Sequence, residues 1–193
     1  MQEHFLENFF PRTKFSAKDW REITTAFTRV QYNKDDHLLQ EGTTARHYWF
    51  VEEGVLRSYA VDPKGNDLSL DFFTRGDVAI DWSSFLQQIP TRENIQTLTP
   101  VTCWRLDFPT FQQFFHRFEP YREAGRSRLV GSYFALKRKS IAMVADQAKD
   151  RYRQLLTERP ELLQAVPLKQ LASYLGITDT SLSRIRKEIA GEG

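Results

Sequence analysis

The hydrophobic period of this chain changes once, at Asp107, and that change narrows the folds open to it more than any other feature. From Arg29 to Leu106 the chain alternates with period two. Val55, Arg57, Tyr59 and Val61 interleave with Leu56, Ser58 and Ala60, and after Asp62-Pro-Lys-Gly-Asn-Asp67 the alternation resumes at Leu68, Leu70 and Phe72. Pro and Gly stand where a hairpin turn needs a preset φ and a positive φ. Arg75-Gly-Asp77 reads as a further turn, and Ile95–Leu106 as a strand pair broken at Pro100. Short strands at this spacing predict an antiparallel sandwich or barrel.

After Asp107 the apolar residues recur at helical spacing. Asp107 is placed to cap, Pro109 suits a first turn, Phe111, Phe114, Phe115 and Phe118 share a face, and Pro120 reads as the stop. Upstream, Ser16-Ala-Lys-Asp19 resembles a capping box ahead of Trp20, Ile23 and Phe27, which predicts a helix over about 17–29. Strands followed by helices make an α+β chain.

A long helix is expected from Tyr121 to Ala145. Leu129, Tyr133, Leu136, Ser140 and Met143 are spaced as a coiled-coil seam, and Val130, Phe134, Ile141 and Val144 form a second apolar face. The two faces predict two contacts: one with the helix's own domain, one with a second copy. Asp146–Thr157 reads as another helix, ended by Pro160. The expected division is a sensory part over 1–119, a dimerisation helix over 120–145 and a C-terminal unit over 146–193.

That unit holds Leu171-Ala-Ser-Tyr-Leu-Gly-Ile-Thr-Asp-Thr-Ser-Leu-Ser-Arg-Ile-Arg-Lys-Glu-Ile189. Ala172 is small where two helices would cross, Gly176 stands where a tight turn needs positive φ, and Leu171, Leu182 and Ile185 would face a common core. Pro167 suits a first helical turn and Thr178 an N-cap. This is the pattern of a helix-turn-helix. Its second helix would present hydrogen-bonding and cationic side chains of the kind that read base edges and phosphates. Thr178, Asp179, Thr180, Ser181 and Arg184 are the candidate base-facing residues; Lys169, Ser183, Arg186 and Lys187 are the candidate phosphate contacts.

Charge divides the same way. Residues 1–119 carry 13 Lys+Arg against 17 Asp+Glu, and residues 120–193 carry 14 against 8, so a net −4 precedes a net +6. A basic rear suits a polyanion. Cys103 is the single cysteine, which excludes a disulfide framework and a multi-cysteine cluster and fits a reducing cytoplasm. His4, His37, His47 and His116 are scattered, and no His-x-His set suggests a metal. No signal peptide and no membrane span are expected.

The order of parts adds a resemblance. Leu38-Leu-Gln-Glu-Gly42, His47–Leu56, the Lys64-Gly65 turn, Arg75-Gly-Asp77, a long helix and a terminal helix-turn-helix resemble the Crp/Fnr family of transcription regulators, from about Phe15 to Ile189. The resemblance implies an N-terminal antiparallel β-roll of jelly-roll, cyclic-nucleotide-binding-domain type. It implies a bacterial homodimer bound to a near-palindromic double-stranded operator, with RNA polymerase and a small-molecule effector as further partners. It implies no enzyme activity. The effector pocket would draw on Arg57, Asp81, Trp82, Ser83, Ser84, Thr91 and Arg92.

The departures are informative. Where the family's cyclic-nucleotide cassette has Gly-Glu and then Arg-Ser, this chain has Ile80-Asp81 and Thr91-Arg92, followed by Glu93. A phosphate needs fixed donors, ideally a bidentate Arg, and Glu93 would repel it, so a cyclic nucleotide is not expected; the pocket holds another small molecule or is a filled remnant, and the regulator is effector-modulated or constitutive. Haem and iron–sulfur chemistry are likewise not expected. Of the family's base readers, Arg184 alone keeps its type, and the segment Pro160–Val166 leaves room for a shortened wing or none. A competing expectation is a small-molecule binding module whose helix-turn-helix docks a protein partner.

Overall fold

The computed structural model describes residues 5–191, so His4 and the last two residues lie outside it. Helix α1 (Ala17–Ala26) begins on Ser16, whose Oγ accepts from the Asp19 N–H. It ends three residues before the expected bound, because Thr28 already pairs with Arg105 in a sheet. Eight strands follow: β1 (Thr28–Tyr32), β2 (His37–Leu39), β3 (His47–Glu53), β4 (Leu56–Val61), β5 (Asp67–Phe73), β6 (Val78–Ala79), β7 (Asn94–Thr97) and β8 (Val101–Asp107). They form two antiparallel sheets, ordered β1-β8-β3-β6 and β2-β7-β4-β5. Between β6 and β7 lies α2 (Trp82–Gln87).

The roll is filled largely by aromatics. Phe9 stacks on Phe50 with centroids 3.8 Å apart, Phe10 stacks on Tyr121 at 5.2 Å, and the Tyr48 and Tyr121 hydroxyls share a hydrogen bond of 2.8 Å inside the core. Burying such rings supplies much of the driving force for the fold.

Helix α3 (Phe108–Arg117) is capped by Asp107, which accepts from the Thr110 N–H. The helix stops at Arg117, three residues before Pro120. That proline sits in the first turn of α4 (Glu119–Ala145), where its missing N–H has no partner to lose. The 27 residues of α4 span about 40 Å. Its apolar residues do not divide as expected. Small and charged residues, among them Gly131, Ser132, Ala135 and Lys139, line a cleft on the side of the body together with Leu136, while Tyr133, Phe134, Ile141 and Val144 are all more than half exposed. Of the expected seam, Ser140 donates back to the Leu136 carbonyl, and Met143 reaches the turn at Gly176.

Helices α5 (Ala148–Glu158), α6 (Leu162–Ala165), α7 (Leu168–Tyr174) and α8 (Asp179–Ala190) complete the chain. The single turn of α6 occupies the wing position, and among the described residues no strand follows Asp107. Tyr152, Leu155, Leu171, Ala172, Leu175 and Leu182 form a second core, which continues into Val55, Phe72 and Leu98 of the roll. Helix α7 lies on β5: the Ser69 N–H donates to Ser173 Oγ at 2.8 Å, and Ser69 Oγ donates to the Gln170 carbonyl at 2.9 Å.

Candidate nucleic-acid interface and sensory pocket

The loop-to-helix order of the C-terminal unit follows from its residues. Thr178 Oγ1 accepts from the Ser181 N–H at 3.2 Å and starts α8. Gly176, at φ +68°, lets the chain turn from α7 into α8. Leu182 is fully buried, Leu171 and Ala172 nearly so, and Ile185 is partly buried against them. The opposite side of α8 leaves Asp179, Thr180, Arg184, Arg186 and Lys187 exposed, with Ser181 and Ser183 partly so. Lys169 is exposed at the start of α7. The fold thus gathers the candidate base-facing and phosphate residues on one unit. Thr178 takes the N-cap expected of it, and its hydroxyl also bonds Ser181 Oγ at 2.9 Å. Asp179 Oδ1 accepts from the Thr180 N–H.

The expected pocket residues scatter. Arg57 belongs to the outer face of β4, buried beneath α7 and away from the roll interior. Its Nε donates to Ser69 Oγ at 2.8 Å, and it pairs with Asp67 at 2.6 Å. Since Ser69 in turn bonds Gln170, Arg57 supports the contact between roll and helix-turn-helix. The alternation of β4 puts Arg57 and Ser58 on opposite faces, and it is Ser58 that turns inward to Glu93.

The cassette is closed by its own side chains. Asp81 caps α2, accepting from the Ser83 and Ser84 N–H groups, and its other oxygen accepts from Thr91 Oγ1 at 2.6 Å. Ser84 Oγ accepts from the Ala45 N–H and donates to the Ile89 carbonyl. Arg92 is exposed. Glu93 takes the interior position, accepting from Ser58. Burial pushes the Glu93 carboxyl up to about 7, against the Ser58 hydrogen bond, and the charges of Asp81 and Asp71 push the same way. A phosphate placed here would meet those same carboxylates. Between roll and α4, beside Tyr48, Phe85, Trp82 and Arg128, the void measures about 30 Å³, room for about one water. Trp49 and Trp104 are engaged with Tyr32 and Glu52.

Glu93 yields a pH prediction. Its folded value lies above the ordinary 4.5, so between those limits the folded chain holds a proton that the unfolded chain releases. Its stabilising contribution is complete below about pH 4.5 and is lost as pH rises through about 7. Glu93→Gln is expected to be about 1–3 kcal/mol more stable than the parent at pH 8 and near parity at pH 4.5, by urea unfolding. Equal stability at both pH values would remove the carboxylate argument.

Among the described residues, no group of His, Cys, Asp and Glu is arranged to hold a metal, and no helix is long and apolar enough to cross a membrane. Cys103 is buried in β8, and burial pushes its thiol up to about 12.

Comparison with known proteins agrees with this architecture. The family profile of the cyclic nucleotide-binding domain matches residues 29–118. A cAMP-dependent protein kinase regulatory subunit from Candida albicans is 25% identical over 108 residues, 56% of this chain and 22% of the relative, so the match spans about a fifth of that protein's length. FixK2 from Bradyrhizobium japonicum superposes with a TM-score of 0.74 at 18% identity, covering 86% of each chain. CLP from Xanthomonas campestris, a c-di-GMP-responsive global regulator, gives 0.72 at 19%, covering 92% of this chain and 93% of its own. A putative Crp/Fnr regulator from Eubacterium rectale gives 0.75 at 14%, covering 97% and 89%. Residues 29–118 are thus similar to the cyclic nucleotide-binding domain, and along its length the chain shares the fold of the solved FixK2, CLP and Crp/Fnr-family structures.

Proposed function

We propose that the chain is a cytoplasmic, homodimeric, sequence-specific DNA-binding transcription regulator of the Crp/Fnr type, not an enzyme, and governed by a small molecule other than a cyclic nucleotide. The observation that carries this reading is α8, a capped helix whose apolar side is buried while Arg184, Arg186 and Lys187 stand exposed on the other. A helix of that build fits a major groove, with cations for phosphates and Arg184 for the O6 and N7 of a guanine. Two copies would place two such helices in grooves one turn apart, about 34 Å.

Selection of bound sequences from a random duplex pool tests this. The expected product is a two-fold symmetric motif with half-sites one helical turn apart; no enrichment with or without cell extract overturns the reading. On the selected site, Arg184→Ala is expected to lose about 1–3 kcal/mol and to relax one base preference. Lys187→Ala should weaken all duplexes about equally and reduce the salt slope. The self-closed cassette predicts the ligand side: 1 mM cyclic AMP should leave the melting temperature unchanged. A site half-filled at 10 μM would instead be stabilised by about 2.7 kcal/mol at that concentration, a rise of several degrees that would overturn the exclusion.

A further inference from the structure

A cleft of about 490 Å³ opens outside the roll, where β5, α4 and the α5–α7 unit meet. Its size falls in the range of small-molecule sites, about 300–1,000 Å³. It adjoins the small void of the roll, with which it shares Val78, Trp82 and Arg128, but Asp81, Thr91 and Glu93 do not line it. Charge and packing decide what it would hold. Five cations line it, Arg128, Arg138, Lys139, Arg151 and Arg159, against the carboxylates of Asp71, Asp77 and Glu158.

Three of the cations are already engaged. Arg128 donates to the Phe9 and Ala124 carbonyls, and Arg151 to those of Ala142, Asp146 and Leu175. Arg159 pairs with Asp77 and donates to the Phe72 carbonyl. Lys139 differs. It is partly buried, its Nζ donates to the Leu70 carbonyl, and it stands 3.5 Å from the centroid of the Tyr174 ring. Asp71 acts on it electrostatically without being among its hydrogen-bond partners, although an ammonium has three hydrogens to donate. Burial lowers it to about 8 even with Asp71 pulling the other way. An ammonium in that condition gains from an anion brought into the cleft. Asp71 stands nearby and opposes a second negative charge, which favours a monoanion over a phosphate. Phe72, Trp82, Leu136 and Tyr174 supply apolar wall.

We propose that this cleft binds a small amphiphilic organic monoanion, an aromatic or acyl carboxylate or sulfonate, with its head group on Lys139 and its body against Phe72, Leu136 and Tyr174. Such a ligand touches the edge of the roll, the long helix and the first helix of the helix-turn-helix together. Any effect on DNA affinity rests on the reading above; the binding itself does not.

The test is a fluorescence titration of the full chain with 8-anilinonaphthalene-1-sulfonate, an aromatic monoanion. Saturable binding is expected, one dye per chain, with the uncharged N-phenyl-1-naphthylamine at least about tenfold weaker. Lys139→Gln should weaken the dye by about tenfold or more. Gly131→Leu is an independent plug. A Cβ there meets nothing within 4 Å, and leucine favours the helix, so the fold should survive while binding is lost. Val61→Ser, at an exposed apolar position at the end of β4 that does not line the cleft, should leave the dye bound. Parent-like binding by the Gly131→Leu chain, equal binding of the uncharged dye, or loss of binding in Val61→Ser would each overturn the proposal. None of these outcomes bears on whether the chain selects a DNA sequence.

Discussion

Gly54→Ala is expected to remove about 3–5 kcal/mol of stability, a large share of what a domain of this kind holds. Gly54 turns β3 into β4 at φ +92°, a backbone region that side chains with a Cβ resist. Geometry adds a second penalty. A Cβ at this position would press into the Pro100 carbonyl and lie 2.8 Å from Val101 Cγ2, so backbone would have to move. The next residue, Val55, donates its N–H to Thr99 Oγ1 and belongs to the core shared with the C-terminal unit, so the disturbance would reach α7 as well. Gly65→Ala is the matched control. Its φ is +82° but nothing lies within 4 Å of the added carbon, so only the conformational cost of about 1 kcal/mol applies. Urea unfolding followed by tryptophan fluorescence measures both, and equal losses would mean that the contact with Pro100 contributes nothing.

If α4 pairs two copies as proposed, Phe134→Glu combined with Ile141→Glu is expected to give a monomer in sedimentation velocity where the parent is a dimer. Both side chains are 54% exposed on a band of α4 that also holds Val144 at 90%. Apolar surface of that extent on one long helix marks an interface. Two carboxylates at its centre would have to be desolvated without partners, which an interface between copies does not tolerate. The DNA consequence is larger than the dimer energy alone. A duplex with two half-sites should lose about 10²–10⁴ in apparent affinity, while a single half-site is bound as before. A dimer that survives both substitutions would place the contact between copies elsewhere.

The elements themselves were largely legible in the sequence because each is set by a local pattern. The period-two run from Leu56 and the caps at Ser16, Asp107 and Thr178 depend on neighbours a few residues away. The pairing of Gly176 with small Ala172 likewise identified the helix-turn-helix from nearby residues. The errors came where distant segments decide. Alternation assigns Arg57 to a face of β4, but only the arrival of α7 on that face makes it a buried strut. On α4 the eye follows leucines and phenylalanines. The signal that was missed is the run of Gly131, Ser132 and Ala135 with Lys139, small residues and one cation on the face turned to the body. Proline ends helices, yet its missing N–H equally suits a first turn, and at Pro120 the second holds. In the cassette the loss of Gly-Glu and Arg-Ser was plain, but the bond from Thr91 to Asp81 that closes it was not.

Strand β5 lies at the rim of its sheet, with β4 on one side and no strand on the other. Yet its outward backbone is not left open. The Ser69 N–H is taken by Ser173 of α7, the Leu70 carbonyl by Lys139 of α4, and the Phe72 carbonyl by Arg159 just beyond α5. Three later parts of the chain each put one side chain where the next strand of a growing sheet would have to bond. An unpaired rim is a template for cross-β aggregation, and here it exists only until the C-terminal half arrives. A nascent or truncated chain ending before α4 would therefore present a bare, partly apolar rim, and the helices that carry the proposed DNA-reading surface would also shield the roll from polymerising.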